Sequence, residues 1–177
     1  MRKFTLLAAM SIALMAGTAA YAADEPRSGG VINFVAPYGD SFSTLDVQAS
    51  PATQDEFYAK AIHRTLYDWD ADQNKPVLGL ATDVSVSEDR LVYTYKLRQD
   101  AFFHDGKPLT ADDIIWSYTR IMDPKKAFPP ARYIAEIKGA EEYTQGKAKE
   151  ISGLKKIDDH TLEITLKQPI DPGYQFM

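Results

Sequence analysis

The sequence predicts an α/β fold, and three observations carry the prediction. Leu91, Tyr93, Tyr95 and Leu97 alternate with Val92, Thr94, Lys96 and Arg98, the period of two of a half-buried strand. Ile114, Ile115, Tyr118, Ile121 and Met122 recur at helical spacing behind Thr110. Ile151 to Ile157 and Thr161 to Lys167 are two further strand-like runs, joined at Asp158-Asp159-His160.

The elements follow along the chain. Arg2 and Lys3 precede a nearly unbroken apolar run, Phe4 to Ala16, and Ala20-Tyr21-Ala22 fits a small-x-small cleavage pattern. These are the parts of a secretory signal peptide, with cleavage expected between Ala22 and Ala23. The apolar run is shorter than the roughly 20 residues of a spanning helix. Val31 to Ala36 reads as a first core strand. Thr53-Gln54-Asp55-Glu56 reads as a capping box, opening a helix to Tyr67 whose apolar face is Phe57, Tyr58, Ala61, Ile62 and Leu66. Asp70 to Pro76 reads as a turn, and Val77 to Ala81 leads toward the Leu91 strand, entered through the polar turn Ser87-Glu88-Asp89-Arg90.

Beyond that strand, His104-Asp105-Gly106-Lys107 reads as a tight turn with Gly106 available for a positive φ. Thr110 and Asp113 form a capping box, and Asp112 and Asp113 suit the positive end of the helix dipole. Asp123-Pro124 stops that helix. Asp123 to Arg132 is a loop rich in Pro and Lys, and Gly139 to Gln145 is a short helix.

Composition narrows the function classes. The chain carries a net charge of −5 without a basic patch, which argues against nucleic acid as a partner. It has no cysteine, so no disulfide and no lipid-bearing thiol at the cleavage site. A soluble periplasmic protein is expected, with roughly 155 residues left after cleavage for a real core. His63, His104 and His160 fit no zinc spacing, and no nucleophile-elbow pattern occurs, so neither a metal, a cofactor nor an enzyme is expected.

One family matches these motifs in order. Gly29-Gly30-Val31-Ile32-Asn33 looks like its first strand. Thr44-Leu45-Asp46 is similar to its "Ser/Thr-Leu-Asp-Pro", with Val47 replacing the proline. Arg64-Thr65-Leu66-Tyr67-Asp68-Trp69 sits where it has an aromatic-rich helix end, and Pro76-Val77-Leu78-Gly79-Leu80-Ala81 is similar to its "Pro-x-Leu-Ala". Tyr93 to Arg98 followed by Phe103 to Asp113 is its most specific stretch, and Asp158-Asp159-His160-Thr161-Leu162 resembles its "Asp-Asp-x-Thr" hairpin. The sequence thus resembles family 5 of the extracytoplasmic solute-binding proteins, receptors of ABC importers for peptides and related solutes. Thr82-Asp83 depart from the Ser-Trp that often follows the "Leu-Ala-x" motif.

The resemblance implies a periplasmic-binding-protein type II-like bilobal fold, of which this chain is the N-terminal portion. Residues 1–22 are then the signal peptide, 23–45 the start of lobe I, 46–167 the family's extra α/β domain, and 168–177 a truncated continuation. The Val31–Ala36 and Thr161–Lys167 strands are expected to lack partners supplied by later sequence. Residues 23–177 alone are therefore expected to bind no peptide and to associate.

The resemblance also points to two ligand-facing loops: Ser50, Pro51, Ala52 and Thr53 in the first, and Phe128, Pro130, Arg132 and Tyr133 in the second. Pro51 stands where oligopeptide receptors often carry an acid, and Arg132 could meet a carboxylate. The expected function is capture of a di- or oligopeptide for delivery to an inner-membrane permease, by a protein monomeric at full length. A receptor for a metal chelate, oligosaccharide or antibiotic stays open, as do a periplasmic chaperone-like module and an exported hydrolase.

Overall fold

A computed structural model describes residues 29–31, 33, 43–50, 52–174 and 176. Its regular elements lie in one compact unit, residues 35–177. Helix α1 (Thr53–Ile62) leads to a two-stranded antiparallel hairpin, β1 (Tyr67–Asp70) and β2 (Lys75–Leu78). Strands β3 (Ala81–Val86) and β4 (Val92–Leu97) follow, then helices α2 (Ala111–Ile121), α3 (Ala131–Ile134) and α4 (Ala140–Thr144). Strands β5 (Leu154–Asp158) and β6 (Thr161–Thr165) and a 3-10 turn, Pro172–Tyr174, complete the order.

The main sheet is antiparallel, in the order β3-β4-β6-β5. Strand β4 alternates as its sequence demands: Tyr93, Tyr95 and Leu97 are buried and Lys96 is exposed. Tyr93 pairs with Ile164 and Tyr95 with Leu162 of β6, so one sheet face is apolar across both central strands. That face shares a core with Ala111, Ile114 and Ile121 of α2 and with Ile134, Ile137 and Ala140. Tyr67 meets Tyr95 edge-on at 5.9 Å, and their hydroxyls are 3.3 Å apart. The chain returns at the end, where Phe176 packs on Tyr118 and its carbonyl accepts the Tyr67 N–H.

The local signals behave as chemistry dictates. The Asp113 carboxylate accepts the Thr110 N–H and hydroxyl, each at 2.8 Å, closing the capping box. The start of α2 rests on the β5–β6 turn: the Ala111 N–H reaches the Asp159 carbonyl, and Lys156 Nζ bridges Asp112 (2.5 Å) and Asp159 (2.7 Å). Gly106 takes φ +84° in a turn closed by the Phe103 N–H on the Lys107 carbonyl. Ser87 to Arg90 turns β3 into β4, with Asp89 accepting the Leu91 N–H.

Other expectations need correction. Thr161–Lys167 does not lack partners: β6 lies inside the sheet, hydrogen-bonded to β4 on one side and β5 on the other. The edges are β3 and β5, and β5 carries Lys155 and Lys156, charges that discourage edge-to-edge pairing. Thr53 is not an N-cap: Ala52 holds that position and Thr53 is already helical. Helix α1 ends at Ile62 rather than Tyr67: His63 is already extended, with φ −114° and ψ 155°, and the Thr65 and Leu66 carbonyls accept the Leu80 and Gly79 N–H groups as the chain enters β1. Arg64–Trp69 is therefore not a helix end, since Tyr67 to Trp69 belong to β1.

The expected apolar face of α1 is not the buried one. Phe57 (37 %) and Ile62 (39 %) are exposed, while Asp55 and Ala59 are buried. The Asp70–Pro76 turn is real only at its centre, since Asp70 ends β1 and Lys75 and Pro76 open β2. Arg132 lies in α3 and not in a loop. The expected signal peptide with its Ala22/Ala23 junction, most of the Val31–Ala36 strand, and Pro51 fall outside the described residues.

Candidate functional site

The segment that leads into the first loop, residues 43–50, is built from short polar side chains that bond their own backbone. Thr44 Oγ1 accepts the Asp46 N–H at 2.9 Å, and Asp46 Oδ1 accepts the Gln48 N–H at 3.3 Å. Asp55 of α1 holds the loop from below. Its carboxylate takes the Ser43 N–H at 2.8 Å and the Ser43 hydroxyl at 2.5 Å. Ser43's hydroxyl, with that of Ser50 next, lowers the Asp55 pKa to about 2, so this buried acid stays ionised. His63 Nε2 adds a hydrogen bond to the Leu45 carbonyl at 3.2 Å.

Arg120, on the last turn of α2, joins this loop to the second one. Its guanidinium makes a two-pronged bond to Asp46, Nη1 to Oδ1 at 3.0 Å and Nη2 to Oδ2 at 2.5 Å. Nη1 also donates to Gln48 Oε1, and Gln48 Nε2 donates back to the Ser117 carbonyl at 3.3 Å. Arg120 Cζ lies 4.7 Å from the centre of the Phe128 ring and 5.9 Å from that of Trp116. The hydrogen bond from Arg120 pulls Asp46 below its ordinary pKa, against the opposing effect of burial.

The sequence-predicted residues sort as follows. Ser50 Oγ accepts the Ala52 N–H at 3.1 Å, and its hydroxyl helps to lower the Asp55 pKa. Ala52 is the extended residue before α1, and Thr53 is exposed at the helix start. Phe128 is half-buried under Arg120. Pro130 precedes α3, and Arg132 engages its own neighbour, with Nη2 donating to the Tyr133 hydroxyl at 2.6 Å and Cζ 4.6 Å from that ring. Arg132 also borders a shallow hollow of about 300 Å³ with Met122, Ala135, Glu141 and Gln145. A larger hollow of about 540 Å³, among Thr82, Lys96 to Asp100 and His160, touches neither loop.

Asp46, Asp55 and Arg120 escaped the sequence reading as site residues. A signal was present, since Asp46 closes the Thr44-Leu45-Asp46 motif before the first loop and Arg120 opens the run Arg120-Ile121-Met122-Asp123-Pro124 before the second. The aspartate of one motif binds the arginine of the other. Among the described residues, no group of three His, Cys, Asp or Glu side chains could hold a metal ion, and no helix is long and apolar enough to cross a membrane.

Residues 75–177 match the model of the bacterial extracellular solute-binding proteins, family 5. The periplasmic oligopeptide-binding protein OppA of Escherichia coli is 34 % identical over 99 % of this chain and 33 % of its own length. The probable deoxycholate-binding periplasmic protein YgiS of the same organism is 44 % identical over 44 % of this chain and 15 % of its own. A crystal structure of a periplasmic oligopeptide-binding protein from Borrelia burgdorferi superposes with a TM-score of 0.68 at 38 % identity, covering 72 % of this chain and 26 % of that one. The chain thus spans about a third of the length of OppA.

Proposed function

This chain belongs to the bacterial extracellular solute-binding proteins of family 5, and we propose that it forms part of a periplasmic receptor that captures peptides and delivers them to an ABC importer. The observation that carries the reading is the match to an oligopeptide-binding protein along 99 % of this chain, with the fold of such proteins beside it. The family is one of solute-binding receptors. No chemical step is assigned: affinity comes from backbone hydrogen bonds and a few side-chain anchors, with ordered water filling the rest. Closure of two lobes about a hinge buries the ligand and presents a closed form to the permease. In this reading the first and second loops form one wall of the ligand cleft, and residues 1–22 direct export.

The test is calorimetry of the complete gene product against defined di- to pentapeptides, with mass spectrometry of the peptides afterwards. Saturable binding at micromolar affinity or tighter, with every peptide recovered intact, is expected. Absence of binding, or cleavage of the peptides, refutes the reading. A non-peptide solute is the second reading, favoured by the 44 % identity to a protein named for deoxycholate. Titration with deoxycholate in the same assay separates the two.

A further inference from the structure

We infer that Arg120 is a positioning residue that fixes the 43–50 loop against the Phe128 loop and so sets the shape of the ligand-facing wall. The inference rests on the peptide-receptor reading for its consequence, but its geometry stands alone.

Two properties separate Arg120 from a ligand-binding arginine. Three of its N–H donors are committed inside the protein, both on Nη1 to Asp46 and Gln48 and one on Nη2 to Asp46. Its flat face is also occupied, with the Phe128 ring 4.7 Å from Cζ. A planar fork that takes a carboxylate with its edge and an aromatic ring with its face can join two segments in one fixed orientation, which a lysine cannot do. The segments joined are distant in sequence, 74 residues apart for the ion pair. The 43–50 segment is also held by Asp55 of α1, by His63 just after that helix, and by Gln48 Nε2 on the Ser117 carbonyl of α2, while the second loop runs between the end of α2 and α3. Ala127 supports the assignment. It takes φ +49°, a left-handed conformation that alanine disfavours, directly before Phe128. Such a bend persists where surrounding contacts over-determine it.

The experiment compares Arg120→Ala, Arg120→Lys, Asp46→Ala and the Asp46→Ala/Arg120→Ala double variant in the complete gene product. Three quantities are read: affinity for a pentapeptide the wild type binds, thermal midpoint, and amide exchange of residues 46–49. Each single variant should weaken the peptide about tenfold, the scale of one lost charge-assisted hydrogen bond. Exchange at 46–49 should rise at least as much, while the midpoint moves by only a few degrees. The double variant should be no weaker than Arg120→Ala, because the contact between the two residues is already gone in that single variant. Arg120→Lys should resemble Arg120→Ala. Affinity within twofold of wild type in Arg120→Ala overturns the inference, as does rescue by lysine or a loss of affinity that merely tracks a collapsed midpoint. If the wild type binds no peptide, the receptor reading fails instead, and the tether stands or falls on the exchange rates.

Discussion

A methyl group added at Gly153 should cost far more than one added at Gly106, for reasons that differ in kind. Gly153 has no positive φ, so alanine can adopt its backbone conformation. Its Cβ, however, would lie 2.6 Å from the Thr165 carbonyl oxygen, 2.7 Å from that of Lys138 and 2.8 Å from Ile137 Cγ2. The two carbonyl oxygens belong to a closed set of backbone hydrogen bonds. The Gly153 N–H donates to Lys138 at 2.8 Å, the Thr165 N–H to Gly153 at 2.8 Å, and the Lys138 N–H to Thr165 at 2.9 Å. The methyl cannot fit unless at least one of these lengthens, and none of the three is a flexible side-chain tip. Overpacking typically costs about 1–3 kcal/mol, and each weakened hydrogen bond adds about 1 kcal/mol. Gly153→Ala should therefore destabilise by about 3 kcal/mol. At Gly106 a Cβ meets nothing within 4 Å, and only its φ of +84° resists. That strain is worth about 1 kcal/mol.

With a thermal shift of about 3 °C per kcal/mol for a domain of this size, the two variants should lose about 9 °C and about 3 °C. His104→Ala, at an exposed position of the same turn as Gly106, should stay within about 0.5 kcal/mol of wild type. Urea titration of all three proteins, checked by thermal melts, measures this. A Gly153→Ala variant as stable as Gly106→Ala would refute the steric argument and the backbone triad with it.

Asp113→Ala should cost about 1 kcal/mol by leaving the Thr110 N–H without its acceptor at the start of α2, read as a lower urea midpoint with an unchanged slope. Asp113→Asn should retain part of that, because the amide oxygen still accepts. Asp55 gives a pH dependence of definite sign. Its folded pKa of about 2 lies below its unfolded value of about 4, so the folded state binds fewer protons between them. Its contribution is fully present above about pH 4 and is lost as pH falls toward 2. Asp55→Asn should flatten the acid limb of a stability–pH profile, and an acid limb identical to wild type would contradict the assignment.

Elements that close on themselves were legible in the sequence. The Thr110–Asp113 box, the Gly106 turn, the alternation of β4 and the β5–β6 hairpin each involve groups a few residues apart, so their hydrogen bonds follow from local order. The family was legible for the same reason, since its motifs are local runs. What the sequence by itself could not determine is wherever a distant segment wins a competition for the same groups. Helix α1 stops early, with His63 already extended, and residues 65 and 66 bond instead to Leu80 and Gly79. Thr53 loses the capping role because the helix starts one residue earlier, with the Ala52 carbonyl accepting the Asp55 and Glu56 N–H groups. Strand β6 gains a neighbour on each side from β4 and β5, although the first of these is some 70 residues earlier. Asp46 ended a motif and Arg120 was an ordinary polar residue of a helix, and only the packing of α2 against residues 43–50 made them one contact. Side-chain period and capping chemistry are properties of a short stretch of chain. Which carbonyl a given amide finds, and which charge a guanidinium meets, is decided when the whole chain has collapsed.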